Sequence, residues 1–391
     1  MSAGAPRVAP TIPLPADAVV DRRIGSSGPC LLALEDGTVF GGVAFGAENG
    51  GGGDLVVNTS QTGYQEVCTD PSYAGQVVVM TYPLIGNHGR FADDDQSERP
   101  WLNGLVVGHA TAGVLGRARQ IVHLLRSSKV PAIAGLDTRT LARHLRESGS
   151  LRGVITAPGE TDPEVAVAAA RAVPVWEEQD FVSRVSAGTP FEVGARGPVV
   201  AVVDLGLKTN IVRSLHRRGA RVRVFPHTAT AEQVLAPDVD GVVISPGPGD
   251  PGLLDAQVAL ARAVVADGRP LLGICLGHQI VARAAGARTQ RLRFGHHAAN
   301  HPVRDEVSGR VTVTAQNHEV EVVGDSLPEG NGFYVSQRNL NDGTVEGLRH
   351  HGLPIETVQY HPEGSPGPLD AADVFDRFLG HVRAHADRVP A

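Results

Sequence analysis

The sequence predicts a two-domain α/β protein in which a doubly wound, mostly parallel carboxyl-terminal sheet follows a separate amino-terminal domain of mixed α/β structure. Its 391 residues exceed one ordinary core and suggest about two domains. Between residues 199 and 285, short apolar segments alternate with amphipathic ones, which is typical of parallel strands covered by helices on both faces. Residues 186–198, rich in Gly and Pro, are interpreted as the linker.

The amino-terminal half is expected to begin with a disordered leader over residues 1–27, where Ala, Pro and Gly dominate and apolar residues follow no period. Order is expected from Cys30 onward, because two apolar runs flank a turn at Asp36 and Gly37 and so predict a β-hairpin. Short β-type runs and an amphipathic stretch at 138–147 follow. We assign residues 28–190 to this mixed domain and residues 191–391 to the carboxyl-terminal domain.

The carboxyl-terminal half has a regular order of predicted elements. Strands are expected at 199–203, 221–225, 241–245 and 270–275, helices at 208–218, 231–235, 253–266 and 276–285, and a last strand and helix at 355–360 and 371–384. In sheets of this kind, reactive groups gather just beyond the carboxyl ends of the strands, so the chemistry is expected there.

Composition excludes several classes of function. No apolar run approaches the roughly 18 residues of a membrane span, and a net charge of −7 offers no basic field for nucleic acid. The three cysteines are too few for a disulfide framework or a four-cysteine zinc site. We therefore expect a reducing, cytoplasmic compartment, no membrane partner and no nucleic-acid partner.

The strongest local feature is a cysteine between an apolar strand and a helix. Cys275 stands between Gly273 and Gly277, in the G-x-C-x-G pattern of a nucleophile elbow, where neighbours two residues away must lack bulk. The backbone N–H of Leu276 would then point toward the reaction centre. The alternative is a buried structural cysteine between two packing glycines.

A base and its orienting group follow the last predicted strand. In an extended chain, residues two apart project to the same side, so Glu363 can hold one nitrogen of His361 while the other faces a thiol. The position at a strand end in the domain of the elbow favours this triad over an ordinary loop histidine.

A third motif, PGPGDP at 246–251, also follows a buried strand. No Lys-Ser/Thr pair follows it and its prolines lack N–H donors, so it is not a phosphate-binding loop. It can present the N–H groups of Gly247 and Gly249 to an oxyanion or a substrate. An ordinary tight turn is the alternative.

The motifs PGPGDP, GICLGHQ (273–279) and HPE (361–363) together resemble class I glutamine amidotransferase domains. More specifically, the sequence resembles the small, glutamine-hydrolysing subunit of carbamoyl-phosphate synthetases. This likeness rests on FGHHAANHPV (294–303), TAQNHEV (314–320), NLNDGTVEGL (339–348) and QYHPEGSPGP (359–368), and on LEDGTVFGG (34–42) and IAGLDTRTLARHLRESGSLRGVI (133–155) in the first half.

The resemblance implies Cys275 as nucleophile, His361 as general base and acid, and Glu363 as its partner. It implies glutamine contacts from these residues: Ser60, Gly247, Gly249, Leu276, Gln279 and Asn317. The ammonia would pass to a large subunit that makes carbamoyl phosphate from bicarbonate and ATP. ATP and magnesium are expected on that partner, and no cofactor is expected in this chain.

The sequence also departs from the family pattern. Glu319 and Val320 replace the usual Gly and Phe, which adds bulk and charge near the expected ligand, and residues 101–129 lack the family's Ser-Asn-Trp/Phe-Arg element. His296, His297 and His301 lie close together, but their family counterpart binds no metal, so no metal site is expected. Two alternatives stay open: a diverged paralogue that feeds a specialised pathway, and a non-catalytic regulatory subunit.

Overall fold

The computed structural model describes residues 7–8, 19–113 and 120–388, and the chain forms two compact units, residues 1–179 and 180–391. The boundary lies before the predicted one at 190/191. Residues 180–190 belong to the second unit because Val182 packs in its core and the Ala187 N–H donates to Asp204 at 2.8 Å. Part of the atypical stretch 101–129, residues 114–119, lies outside the described residues.

The first unit is built on a sheet of eight strands among its described residues. Their order is β1-β3-β2-β10-β4-β5-β7-β9, and a pairing of β3 with β9 closes seven of them into a ring. The strands are β1 (Arg7–Val8), β2 (Gly28–Leu34), β3 (Thr38–Ala44), β4 (Gly51–Asn58), β5 (Gln76–Met80), β6 (Leu84–Ile85), β7 (Gly104–Val107), β8 (His109–Ala110), β9 (Ala132–Ala134) and β10 (Arg152–Ile155), with β6 and β8 paired separately. The helices are α1 (Tyr64–Thr69), α2 (Ile121–Ser127), α3 (Thr138–Ser148) and α4 (Pro163–Arg171).

The expected disordered leader is wrong for residues 19–27. Val19, Val20 and Ile24 are buried in the core of the first unit, and the Arg126 guanidinium donates hydrogen bonds to the carbonyl groups of Ile24 and Gly25. Apolar residues that follow no period are therefore buried here, because they pack against the core of the first unit. Apart from Arg7–Val8, which pairs with β3, residues 1–18 lie outside the described residues.

The second unit contains a ten-stranded sheet of order β11-β13-β12-β14-β15-β20-β19-β18-β16-β17 in its described part. The strands are β11 (Phe191–Val193), β12 (Val199–Asp204), β13 (Arg221–Pro226), β14 (Gly241–Ile244), β15 (Leu271–Ile274), β16 (Thr289–Asp305), β17 (Val311–Val322), β18 (Phe333–Asn339), β19 (Val345–His350) and β20 (Ile355–Val358). Five adjacent strands of this sheet are parallel to one another, namely β13, β12, β14, β15 and β20. A mostly parallel sheet was expected, but an antiparallel half extends it from β20 to β17.

The helices of the second unit pack on two hydrophobic clusters, one on each face of the sheet. Successive residues of β12 alternate between them: Ala201 and Val203 belong to one cluster, and Val200 and Val202 belong to the other. The helices are α5 (Val182–Val185), α6 (Thr209–Arg217), α7 (Ala231–Val234), α8 (Asp255–Asp267), α9 (Leu276–Ala284) and α10 (Asp373–Ala386). Each unit is thus mixed α/β, which the sequence predicts for the first unit. No helix within the described residues has the length and apolar character needed to cross a bilayer.

Candidate active site

Cys275 occupies a sharp turn between β15 and α9. Its φ of 53° and ψ of −106° lie in a region that side-chain-bearing residues rarely adopt, a strain worth about 1–3 kcal/mol that the surroundings must offset. The backbone N–H of Cys275 donates to the Val358 carbonyl at 2.8 Å, which ties the turn to β20. The strand, turn and helix expected around this residue are all present.

The two glycines of the elbow stand where other residues would collide with the backbone. A Cβ at Gly277 would lie 2.1 Å from the carbonyl oxygen of Ile244, and one at Gly273 would lie 2.8 Å from that of Gly277. The start of α9 therefore packs directly on the end of β14. This close approach requires glycine and fixes the direction of the Cys275 side chain.

The Cys275 thiol is enclosed, with 2% of the residue exposed. Its sulfur lies 3.6 Å from the backbone carbonyl oxygen of Asn317 on β17, close enough to donate a weak hydrogen bond. Cys275 thus contacts the antiparallel half of the sheet as well as the parallel half.

His361 follows β20, the strand next to β15. Its backbone N–H donates to the Ala315 carbonyl at 2.9 Å, and its Nδ1 lies 2.7 Å from Oε1 of Glu363. Burial disfavours the charged imidazole, but the Glu363 carboxylate and the Cys275 thiol outweigh burial and raise the pKa of His361. The other ring nitrogen, Nε2, is buried and has no hydrogen-bond partner among the described residues. The structure thus brings Cys275, His361 and Glu363 together.

Lys208 is a site residue that the sequence analysis missed. Its Nζ lies 2.9 Å from Oε1 of Glu363, and both side chains are buried. Burial alone would raise the pKa of Glu363, but the charges of Lys208 and His361 hold that pKa at about 2. Two signals could have identified this lysine: it is one of two in the chain, and it follows the end of the buried strand β12.

The PGPGDP loop lies beside the elbow. A Cβ at Gly247 would lie 2.0 Å from the carbonyl oxygen of Leu205 and 3.0 Å from the side chain of Leu276, and Gly249 has a φ of 97°. Both glycines are therefore required by close packing or by backbone conformation. Their position next to Leu276 places the loop against the start of α9.

Gln279, one turn into α9, faces β17. Its Nε2 donates to the carbonyl of Val320 at 2.8 Å and to Oε1 of Gln359 at 3.1 Å. Ser60 belongs to the first unit, where it follows β4 and its N–H donates to Oδ1 of Asn58 at 2.8 Å.

Three buried side chains, His296, His318 and Glu346, place potential metal ligands within 4.8 Å of one another. Each already makes a hydrogen bond within the chain. His296 contacts Asp342 at 2.7 Å, and His318 contacts the Val320 carbonyl at 2.9 Å. Glu346 accepts hydrogen bonds from the side-chain amides of Gln316 and Asn339 at 2.9 and 2.8 Å. Burial, partly opposed by those amides, raises the pKa of Glu346 to about 7. These contacts account for the cluster as a hydrogen-bond network that joins β16 to β19.

Two family models match the chain. One, described as glutamine amidotransferase class-I, matches residues 201–380, and the other, described as the CPSase domain of the carbamoyl-phosphate synthase small chain, matches residues 32–155. Together they span the candidate site and most of the first unit.

Curated relatives are similar over nearly the whole chain. The carbamoyl phosphate synthase small chain of Symbiobacterium thermophilum is 47% identical over 364 residues, which cover 89% of this chain and 97% of the relative. The small chain of Bacillus caldolyticus is 44% identical, with 90% and 96% covered. The pyrimidine-specific small chain of Halalkalibacterium halodurans is 44% identical, with 91% and 98% covered.

Proposed function

Because this chain belongs to the carbamoyl phosphate synthase small-chain family, we propose that it hydrolyses glutamine through a thioester on Cys275 and passes the ammonia to a large chain. The family assignment confirms the resemblance found in the motifs and makes the chain a glutamine-hydrolysing subunit of a ligase complex. The large chain would make carbamoyl phosphate from bicarbonate and ATP in the cytoplasm, for arginine and pyrimidine biosynthesis. ATP and magnesium would bind to the large chain, and this chain would hold no cofactor.

The observation that carries the proposal is the strained elbow at Cys275 with a buried base just after the adjacent strand, β20. A conformation that costs free energy is retained where it aims a reacting atom. The His361 imidazole, oriented by Glu363 and Lys208, supplies the base that a thiol nucleophile needs.

In the first half-reaction, His361 accepts the thiol proton at Nε2 and the Cys275 sulfur attacks the side-chain amide carbon of glutamine. The negative charge that develops on the amide oxygen is stabilised by backbone N–H groups, for which Leu276 and the Gly247 and Gly249 loop are the candidates. The C–N bond then breaks, and His361 returns its proton to the leaving nitrogen. Ammonia departs and a γ-glutamyl thioester remains on Cys275.

In the second half-reaction, His361 removes a proton from water and the resulting hydroxide attacks the thioester carbon. The C–S bond breaks, glutamate leaves, and the sulfur regains the proton from His361. Glu363 keeps the imidazole in one orientation during both steps, and Lys208 keeps Glu363 ionised. The N-terminus of α9 stabilises the negative sulfur in each step.

Glutamine itself would be held by the residues that the resemblance names. In the second unit these are Gly247, Gly249, Leu276, Gln279 and Asn317, which border the elbow or the strand beside it. Ser60 is the remaining residue that the resemblance names.

The test is the Cys275→Ser variant, assembled with the large chain. We expect glutamine-dependent synthesis of carbamoyl phosphate to vanish, while synthesis from free ammonia persists, because only the glutaminase half-reaction needs the thiol. Loss of both activities, or of neither, would contradict these roles.

The diverged paralogue remains a second candidate because Glu319 and Val320 replace the family's usual Gly and Phe. Copurification of the native chain with an ordinary large chain in one-to-one ratio would exclude it. A non-catalytic regulatory subunit would form no covalent adduct with labelled glutamine.

A further inference from the structure

Glu319 carries a buried charge in a position where the family usually has glycine. It lies on β17 with 3% of the residue exposed, and its Oε1 is 2.7 Å from Nε2 of His297 on β16. Its Oε2 lies 3.6 Å from the Arg291 guanidinium. The bulk and charge predicted from the sequence are thus directed into a paired network, which is the condition under which a buried carboxylate is tolerated.

The backbone of β16 leaves room for this pair. The β16–β17 register shifts between Arg291 and His296. Within that shift, a Cβ at Gly295 would lie 2.5 Å from Nε2 of His297 and 2.6 Å from Oε1 of Glu319. Any larger residue at 295 would push the two side chains apart, so the local backbone is fitted to their contact.

His297 connects Glu319 to Asn317. A carboxylate can only accept hydrogen bonds, so Nε2 of His297 donates to Glu319, while Nδ1 of the same ring lies 2.9 Å from Oδ1 of Asn317. Both ring nitrogens therefore face oxygen atoms, so the two contacts together fix the orientation of the ring. With the amide oxygen of Asn317 held by His297, the amide NH2 group points away from His297.

Asn317 in turn lies against the nucleophile, because its carbonyl oxygen is 3.6 Å from the Cys275 sulfur. A continuous chain of contacts therefore runs from the partly exposed Arg291, through Glu319 and His297, to the residue beside the thiol.

We propose that Glu319 is a positioning residue for substrate binding, which acts through His297 to fix the orientation of the Asn317 amide. The inference rests on the proposed function, in which Asn317 contacts glutamine. An amide held with its NH2 group toward the ligand favours an oxygen acceptor there, as the carboxylate or amide carbonyl of glutamine provides. Glycine at position 319 could not supply this control.

The first test is Glu319→Gln, which removes the charge and keeps the shape. We expect the KM for glutamine to rise about tenfold, as for the loss of a hydrogen bond to a charged group, while kcat changes less than twofold because the triad is untouched. A changed kcat with an unchanged KM would contradict the role of Glu319 in positioning the substrate.

The second test is a double-mutant cycle with Asn317→Ala. If Glu319 acts through Asn317, E319Q adds less than twofold to KM in the N317A background. The full tenfold effect in that background overturns the inference. A parent chain without glutaminase activity would contradict the proposed function instead, and an active N317A variant with unchanged KM would contradict the assignment of Asn317.

Two further variants separate positioning from folding. Asp36→Asn removes the carboxylate of another histidine pair, Asp36 with His144 at 2.7 Å in the first unit, and should leave KM unchanged. Arg291→Gln weakens the same chain from its more exposed end without altering the buried pair. Should E319Q fail to fold, R291Q must still raise KM about two- to fivefold and lose that effect in N317A; no rise overturns the inference.

Discussion

At the scale of single residues, the site depends on a buried series of charges in which Lys208 contacts Glu363 and Glu363 contacts His361. Removing one partner of a buried ion pair leaves the other uncompensated, which costs more than the pair itself contributes. Lys208 therefore controls both the charge of Glu363 and, through it, the basicity of the imidazole.

Lys208→Met should lower the stability of the chain by about 3–5 kcal/mol. It should also move the acid limb of the kcat/KM profile for glutamine hydrolysis to higher pH. Without the lysine, burial raises the pKa of Glu363, so the carboxylate protonates earlier as pH falls. Loss of the positive neighbour also raises the pKa of His361 while Glu363 stays ionised, so both effects have the same sign.

Chemical denaturation and pH–rate profiles of parent and variant measure these effects. In the parent, the lowered pKa of Glu363 contributes stability above its ordinary pKa of 4.5, and this contribution disappears as pH falls toward 2. The control is Lys129→Met, which changes an exposed lysine in the first unit. An acid limb at the parental pH in K208M would show that Lys208 does not act on the triad.

The residues of the site differ in how far they could be predicted. Cys275 and the pair His361 and Glu363 carry local patterns, a glycine-flanked elbow and a spacing of two after a strand. Lys208 has no such pattern, because its partner Glu363 is 155 positions away and only the fold brings them together. The pairing of Glu319 with His297 likewise depends on the register between β16 and β17.

At the scale of elements, the elbow depends on how closely α9 approaches β14. The carbonyl oxygen of Ile244 occupies the space where a side chain at Gly277 would begin, so the approach is set by backbone atoms that cannot move independently. The same reasoning applies to Gly247 against Leu205.

Gly277→Ala should displace α9 from β14 and reduce kcat for glutamine hydrolysis at least a hundredfold, with a loss of about 1–3 kcal/mol in stability from overpacking. Steady-state kinetics and thermal unfolding check both effects. The matched control is Gly380→Ala on the exposed face of α10, where a Cβ meets open space. That variant should keep full activity and gain about 0.5–1 kcal/mol from helix propensity. Parental kcat in G277A would contradict this account of the elbow.

The parallel strands and their helices could be predicted because each has a complete local pattern of apolar residues. The antiparallel half could not be joined to the same sheet from sequence, since β18 pairs with β16 past the intervening β17, and no local pattern specifies that pairing. Residues 19–27 were mistaken for part of a leader because burial there comes from contacts with α2 and its surroundings, not from a pattern of their own.

At the scale of the whole molecule, the two units are each stabilised by their own cores, and the segment 19–27 belongs to the first. Ile24→Ala should therefore destabilise the first unit by about 2 kcal/mol or more, as for other buried large-to-small changes. Urea unfolding followed by amide hydrogen exchange localises the loss. A change within about 0.5 kcal/mol would mean that the segment does not contribute to that core.

We propose that Cys275 carries the γ-glutamyl group during turnover. The most direct measurement is an acid quench of the complete complex during steady turnover of labelled glutamine, followed by mass spectrometry of the peptide that contains Cys275. We expect a labelled adduct on Cys275 that hydroxylamine removes and that the Cys275→Ser variant lacks. Two results would contradict this role of Cys275 in a complex with parental glutaminase activity. One is label on another residue, and the other is a Cys275 that stays unmodified throughout turnover.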